Sequence, residues 1–421
     1  GSSIITGSFH GTATFGDLPS ITSANMSDVF VAKIDSSGTY EWVTRAGGTH
    51  PDVGHTISVL ADGSSIVTGH FNSEPARFGD IELITQGSND IFVAKLASDG
   101  TFEWAKQAGG VNSDVGHSVS VLADGSSIVT GTFNGTAAFG NETLTSRGEE
   151  DIFITKLSSD GTYEWAKQAG GTATDSPSSV SVFADGSSII TGHFHGTATF
   201  GDLDQITSES FNDNFPDAFV AKLASDGTYE WVTAAGGMSL VEGNSISVLA
   251  DGSSITTGHF HGTATFGELQ SITSAGGYDI FVAKLDVDGD YEWVTQAGGT
   301  SNAFGVSTSV LTDGSSILTG SFQDTVNFGS LQPLTSVNES YDMFVAKLDA
   351  NGSFDGTGVP DDPDLIVNTP LNTIFGGTVS NLATLTTDNG GSTIVIADIT
   401  TTGNQTYNDE FVLNTSLTLT G

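Results

Sequence analysis

The chain has no cysteine in 421 residues, which excludes disulfides, thiolate metal sites and thiol catalysis. Positive charge is nearly as scarce: 11 Lys and Arg stand against 50 Asp and Glu, a net charge of -39. Such a surface repels nucleic acid and anionic lipid, so a DNA-binding or membrane-surface role is disfavoured. It suits high ionic strength or an environment rich in divalent cations. No apolar run approaches membrane-spanning length, and helix-favouring periodicity is absent.

What the chain does have is repetition. Gly-Ser-Ser returns at Gly1, Gly63, Gly125, Gly186, Gly252 and Gly314, at intervals of 62, 62, 61, 66 and 62 residues. Six of the eleven basic residues are one repeated lysine: Lys33, Lys95, Lys156, Lys222, Lys284 and Lys347. One supersecondary unit has been duplicated, and each copy buries its apolar surface against its neighbours. In the second copy, His55–Ala61 alternates as a strand should, Asp62-Gly63 turns, and Ser65–Phe71 follows. A polar stretch leads to Asp90–Leu96, Ser98-Asp99-Gly100 turns, and Thr101–Gln107 completes a four-stranded antiparallel meander. Runs such as Phe92-Val-Ala-Lys-Leu96 are apolar on both faces, which demands sheets covered on both sides. The expectation is an all-β chain: a β-propeller of six or seven four-stranded antiparallel blades over residues 1–355. The alternative, an open stack of β-sandwich modules, needs longer linkers than these. The second and third strands occur six times, but the first strand and the fourth strand, marked by Trp42, Trp104, Trp165, Trp231 and Trp293, occur only five times.

The recurring string Asp90-Ile-Phe-Val-Ala-Lys-Leu96, an Asp-Gly turn, Glu103-Trp104, Gly109-Gly110 and Val119-Ser-Val-Leu-Ala-Asp-Gly-Ser-Ser127 resembles the bacterial β-propeller repeats of the seven-bladed type. That resemblance covers about residues 1–350 and implies a secreted or surface-exposed bacterial protein. This chain departs from it by inserting a Gly-Thr-Ala-Thr-Phe-Gly hairpin between the second and third strands of most copies. Residues 356–366 read as a Pro-, Gly- and Asp-rich linker. From 367 to 421 short Thr-, Asn- and Val-rich strands suggest the start of a β-solenoid, and Thr402-Gly-Asn-Gln-Thr-Tyr-Asn408 resembles filamentous-haemagglutinin-like surface proteins. Both ends read as cuts within something longer.

In an up-and-down meander the tight turns share one face and the long connections share the other. The long connections differ most between copies, so a binding site belongs there. They place Asp52, Asp114 and Asp175 at matching positions, with His55 and His117 at the start of inner strands. Carboxylates and imidazoles near a channel mouth suit a divalent cation such as Ca2+, or a polar ligand. The plainer reading is that each Asp caps its own turn. His193 with His195, and His259 with His261, share a strand face at metal-ligating spacing, but matching positions elsewhere hold Ser, Thr, Asn and Gln, which favours a polar strand end. Asp286-Val-Asp-Gly-Asp290 lacks the remaining residues of a calcium loop and reads as a turn. Phe211 and Phe215 in an acidic loop of the fourth copy are a candidate contact for a partner.

These features point to a non-enzymatic binding or structural module of a large secreted or cell-surface bacterial protein, acting in adhesion through protein or glycan contacts. It needs no cofactor and inserts in no membrane. The alternative is a secreted hydrolase or lyase at the channel mouth, but no paired acid and base and no activated nucleophile stands out. A passive spacer is a third reading.

Overall fold

The computed structural model describes residues 1–354 apart from 211–214 and 337–339, and beyond 354 only nine short strands. The chain divides into two units, Gly1–Phe354 and Asp355–Gly421. Among the described residues all regular structure is β-strand.

The first unit is a β-propeller-type array of successive antiparallel sheets, in which both faces of the central strands are buried. The fourth copy is typical. Ser176–Val182, Ser188–Phe194, Asp217–Leu223 and Tyr229–Gly237 pair in that order. The first copy lacks the opening strand and starts at Ser3–Phe9, and the sixth ends at its third strand, Tyr341–Leu348.

The sheets differ from a simple four-stranded meander in one respect. Except in the third copy, where Ser127–Phe139 and Glu142–Leu157 run on into it without a break, the inserted hairpin does not join the sheet of its own copy. Thr197–Phe200 of the fourth copy pairs with the fourth strand of the third, matching Ala169 to Phe200 and Gly171 to Ala198, and Ile206–Thr207 pairs outside it. The same exchange joins Tyr229–Gly237 to Thr263–Phe266, and Tyr291–Gly298 to Thr325–Phe328. Full sheets therefore carry six strands, two of them borrowed from the following copy. While its backbone completes the preceding sheet, the hairpin phenylalanine packs into its own copy: Phe200 lies 5.0 Å from Phe219 and 5.6 Å from Tyr229, ring centre to ring centre. Both Phe200 and Phe219 are fully buried.

Two further devices tie neighbours together. Inner-strand hydroxyls accept backbone N–H groups of the next inner strand, as with Ser118 Oγ from Val180 N and Ser245 Oγ from Thr308 N, both at 3.1 Å. A bulge in each inner strand, between Gly116 and Ser118 for example, brings these groups into reach. On the outer side, Trp42 Nε1 donates to the Ser98 carbonyl of the next copy at 3.0 Å, and Trp104, Trp165 and Trp231 repeat the bond. The Gly-Ser-Ser anchor has a local cause: Ser64 donates through N and Oγ to Asp62 Oδ1, closing the turn ahead of the second strand. The repeated lysine pairs across the third hairpin, Lys95 with Glu103 at 3.0 Å and Lys222 with Glu230 at 3.1 Å.

In the second unit the described strands pair in parallel at intervals near twenty residues. Leu365 matches Leu385 and then Gln405, and Ile374 matches Ile394 and then Val412. The expected linker core, 356–364, lies outside the described residues.

Candidate functional site

The long connections of neighbouring strands do meet on one face. Asp114 N donates to the Asn89 carbonyl at 2.8 Å, Asp175 N to Glu150, Val241 N to Pro216 and Ala303 N to Tyr278. Each bond ties a fourth-to-first connection to the second-to-third connection beside it. Strand ends beneath this face carry two kinds of side chain, one buried and structural, the other lining the inner strands.

Asp52, Asp114 and Asp175 belong to the first kind. All three are fully buried, and each serves its own loop. Asp52 accepts from Gly48 N at 2.8 Å, Ser73 Oγ at 2.7 Å and Asn72 N at 3.0 Å. Asp114 accepts from Gly110 N and Asn134 N, and Asp175 from Gly171 N and His195 N. Among the described residues no three His, Asp or Glu side chains converge tightly enough to hold a metal ion. Asp286 accepts from the backbone of Asp288 and Asp290 within its own turn.

The second kind forms a row of imidazoles. His55 and His117 occupy the bulge positions of two neighbouring inner strands, and His70, His193 and His259 occupy one repeated position on the second strands. The His55 ring lies edge-on to His70 at 5.1 Å and to His117 at 5.9 Å. His117 Nε2 meets Thr132 Oγ1 at 3.3 Å. Burial holds His70, His117 and His193 at about 4, with neighbouring imidazoles pushing the same way, so they are neutral near pH 7. His55 is lowered by the same burial, opposed by the Gly116 backbone. Neutral imidazoles each offer one donor and one acceptor.

At the far end the row becomes aromatic. His259 packs edge-on against Phe304 at 4.9 Å and Tyr278 at 5.4 Å, Tyr278 lies 5.6 Å from Phe304, and Phe304 6.1 Å from Tyr341. Polar groups flank these rings. Glu242 Oε2 lies 3.6 Å from His259 Nε2, Asn302 Nδ2 reaches Tyr341 Oη at 3.2 Å, and Asn244 Nδ2 reaches His259 Nδ1 at 3.2 Å. Burial lowers His259, and the Glu242 charge opposes that. Tyr341 is 52% exposed, so the cluster reaches the surface.

The structure thus brings His55 and His117 together, and keeps the three aspartates each in its own loop. Phe215 is exposed, while Phe211 lies outside the described residues. The Tyr278, Phe304 and Tyr341 cluster was not foreseen from the sequence. Its signal was present as disagreement between copies: Phe304 stands where other copies carry Val53, Val115, Ser176 and Glu242, and Tyr278 where they carry Asn89 or Glu150. A separate shallow cleft of about 590 Å³ lies between the third and fourth sheets, lined among others by Arg147, Lys167 and Tyr229.

No family model matches the chain. It is similar to an uncharacterized WD repeat-containing protein of Acanthamoeba polyphaga mimivirus, at 23% identity over 53% of this chain. The match spans only 18% of that relative's length. WD repeats build four-stranded propeller blades, in keeping with the sheets described above. A solved protein of unknown function from Bacteroides caccae shares 9% identity, with a TM-score of 0.39, over 83% of this chain and 92% of its own.

Proposed function

We propose that the chain is a non-catalytic binding module of a secreted or cell-surface bacterial protein, working in adhesion by gripping a glycan or protein through its long-connection face. The observation that carries this reading is the His259, Tyr278, Phe304 and Tyr341 cluster beside Asn302 and Glu242. Flat aromatic faces flanked by hydrogen-bonding groups suit a glycan, whose ring carbons stack while its hydroxyls pair. A net charge of -39 favours a neutral or basic ligand over an acidic one. The parallel strand stacks of the second unit support a solenoid-like region, an architecture found in extended repeat proteins.

The test is a glycan-array screen followed by titration of the best binder. Tyr341→Ala should weaken binding about tenfold, roughly 1.4 kcal/mol, with the melting temperature unchanged. Unaltered affinity would remove the cluster from the site, and capture of a protein with no glycan hit would transfer the reading to protein recognition. One observation favours the second reading, a hydrolase or lyase: Glu242 beside His259 is an imidazole–carboxylate pair open to acid–base work. Glycan cleavage lost in Glu242→Gln would establish it.

A further inference from the structure

Each of the first three copies contains a second buried acid facing the one already described. Asp28 and Asp90 open their third strands, Asp151 holds the matching place within the longer strand Glu142–Leu157, and all three are fully buried, as are Asp52, Asp114 and Asp175 opposite. In each of the three Oδ2 accepts a backbone N–H, from Ala24, Gln86 and Arg147 respectively. Oδ1 of all three has no hydrogen-bond partner. It faces the second carboxylate across a glycine. The point where a Cβ on Gly109 would sit is 2.7 Å from Asp90 Oδ1 and 3.0 Å from Asp114 Oδ2. Beside Gly47 the distances are 2.9 Å to Asp28 Oδ1 and 2.6 Å to Asp52 Oδ2, and beside Gly170 both are 2.9 Å.

The fourth and fifth copies supply an internal control. Val241 and Ala303 replace the second acid there. The remaining acids, Asp217 and Asp279, turn Oδ1 to the glycine-loop N–H groups of Gly237 and Gly299, each at 3.3 Å. Where a second acid is present, it takes that N–H itself, through Gly48, Gly110 and Gly171. The first acid is then left with an oxygen aimed at another carboxylate and no donor for it.

We propose that each of these three acid pairs is a proton-binding site, with the orphaned Oδ1 protonated and donating to Oδ2 of the facing carboxylate. One proton satisfies the orphaned oxygen and removes one of two buried like charges, either of which is costly to leave. A metal ion fits the surroundings poorly, because backbone N–H donors already point at the other carboxyl oxygens and would repel it. Burial, reinforced for Asp114 by Asp90 and Glu150 and for Asp175 by Asp151, pushes Asp114 and Asp175 up to about 7, and burial pushes Asp90 to about 6. Cations face two of the pairs: Arg45 binds Asp28 Oδ2 at 2.5 Å, and Arg147 lies near Asp151, whose Oδ2 also accepts from Gln168. Among the described residues no cation is one of the leading groups acting on the Asp90 and Asp114 pair.

Because these acids sit above their unfolded value of 3.8, the stability they contribute is present in acid and lost as the pH rises through about 7. The buried histidines add a change of their own as their unfolded forms lose protons above 6.5, but that share is common to parent and variant, so the difference between the two in unfolding free energy at pH about 6.5 and about 8.5 isolates the acids. Asp90→Asn with Asp151→Asn places an amide donor where each proton would sit. The double variant should gain stability relative to the parent between the two pH values, and equal or exceed the parent at the higher pH. At the lower pH, isotope-edited infrared should show a protonated-carboxyl C=O band in the parent, weakened in the variant. Should the variant not fold, that band in the parent decides. Absence of the band, an equal change with pH in parent and variant, or stabilisation of the parent by Ca2+ at high pH that the variant lacks would each overturn the proposal.

Discussion

Gly100 and Gly63 occupy the same kind of backbone, at φ +85° and +83°, in turns that any side chain would strain. Their surroundings differ. A Cβ on Gly100 would lie 2.7 Å from the indole of Trp42, which is pinned by its bond to Ser98, whereas a Cβ on Gly63 meets only Ser98 Cβ at 3.4 Å. Gly63→Ala should therefore cost the backbone strain alone, about 1 kcal/mol. Gly100→Ala should cost about 1–3 kcal/mol more, because the indole must move. Denaturant melts of the two variants give the difference directly, and equal losses would mean that the tryptophan yields freely. The repeated Asp-Gly turn announces the glycine in the sequence, but nothing local announces the indole, which comes from a strand 58 residues earlier.

At the scale of elements the inserted hairpin matters most. Phe200 is fully buried between Phe219 and Tyr229 of its own copy while its backbone pairs with Ala169 of the copy before. Phe200→Ala should cost about 3–5 kcal/mol. Hydrogen exchange should quicken in Tyr163–Gly171 of the preceding copy as well as around the mutation, and protection unchanged there would show that the borrowed strands do not hold that edge. The strands themselves were legible: Asp90–Leu96 reads as a strand apolar on both faces and is buried on both. The hairpin's destination was not. Gly-Thr-Ala-Thr-Phe-Gly alternates as a strand should, but pairing within its own copy and pairing with the neighbour's last strand bury the same residues. The aromatic cluster escaped for a related reason, since Tyr278, Phe304 and Tyr341 come from a connection and two strands far apart in the sequence, and meet only once neighbouring sheets are packed. The face itself was readable from loop length and disagreement between copies.

For the molecule as a whole, two sets of buried groups pull the pH dependence of stability in opposite directions. The imidazole row is neutral when folded, so its contribution is kept above the unfolded value of 6.5 and lost as the pH falls toward about 4. The acid pairs act in the opposite sense, with losses as the pH rises through about 7. Because the acids' losses begin above 3.8 and the imidazoles' gains end near 6.5, the two oppose each other between about pH 4 and 6.5, and His117→Asn should reduce the imidazole share by on the order of 1–2 kcal/mol near pH 5. An unfolding profile of His117→Asn that parallels the parent's from pH about 4 to 6.5 would contradict the histidine assignment.

The borrowed hairpins also set an order of events during synthesis. When the ribosome has delivered Tyr229–Gly237, the fourth sheet still lacks Thr263–Phe266, which belongs to the next copy. Each newly made sheet therefore leaves the exit tunnel with a bare outer edge, and only further elongation closes it while exposing the next. The growing chain carries one unfinished edge forward from copy to copy, so a pause in translation just after a tryptophan strand holds open the place where a second nascent chain could pair.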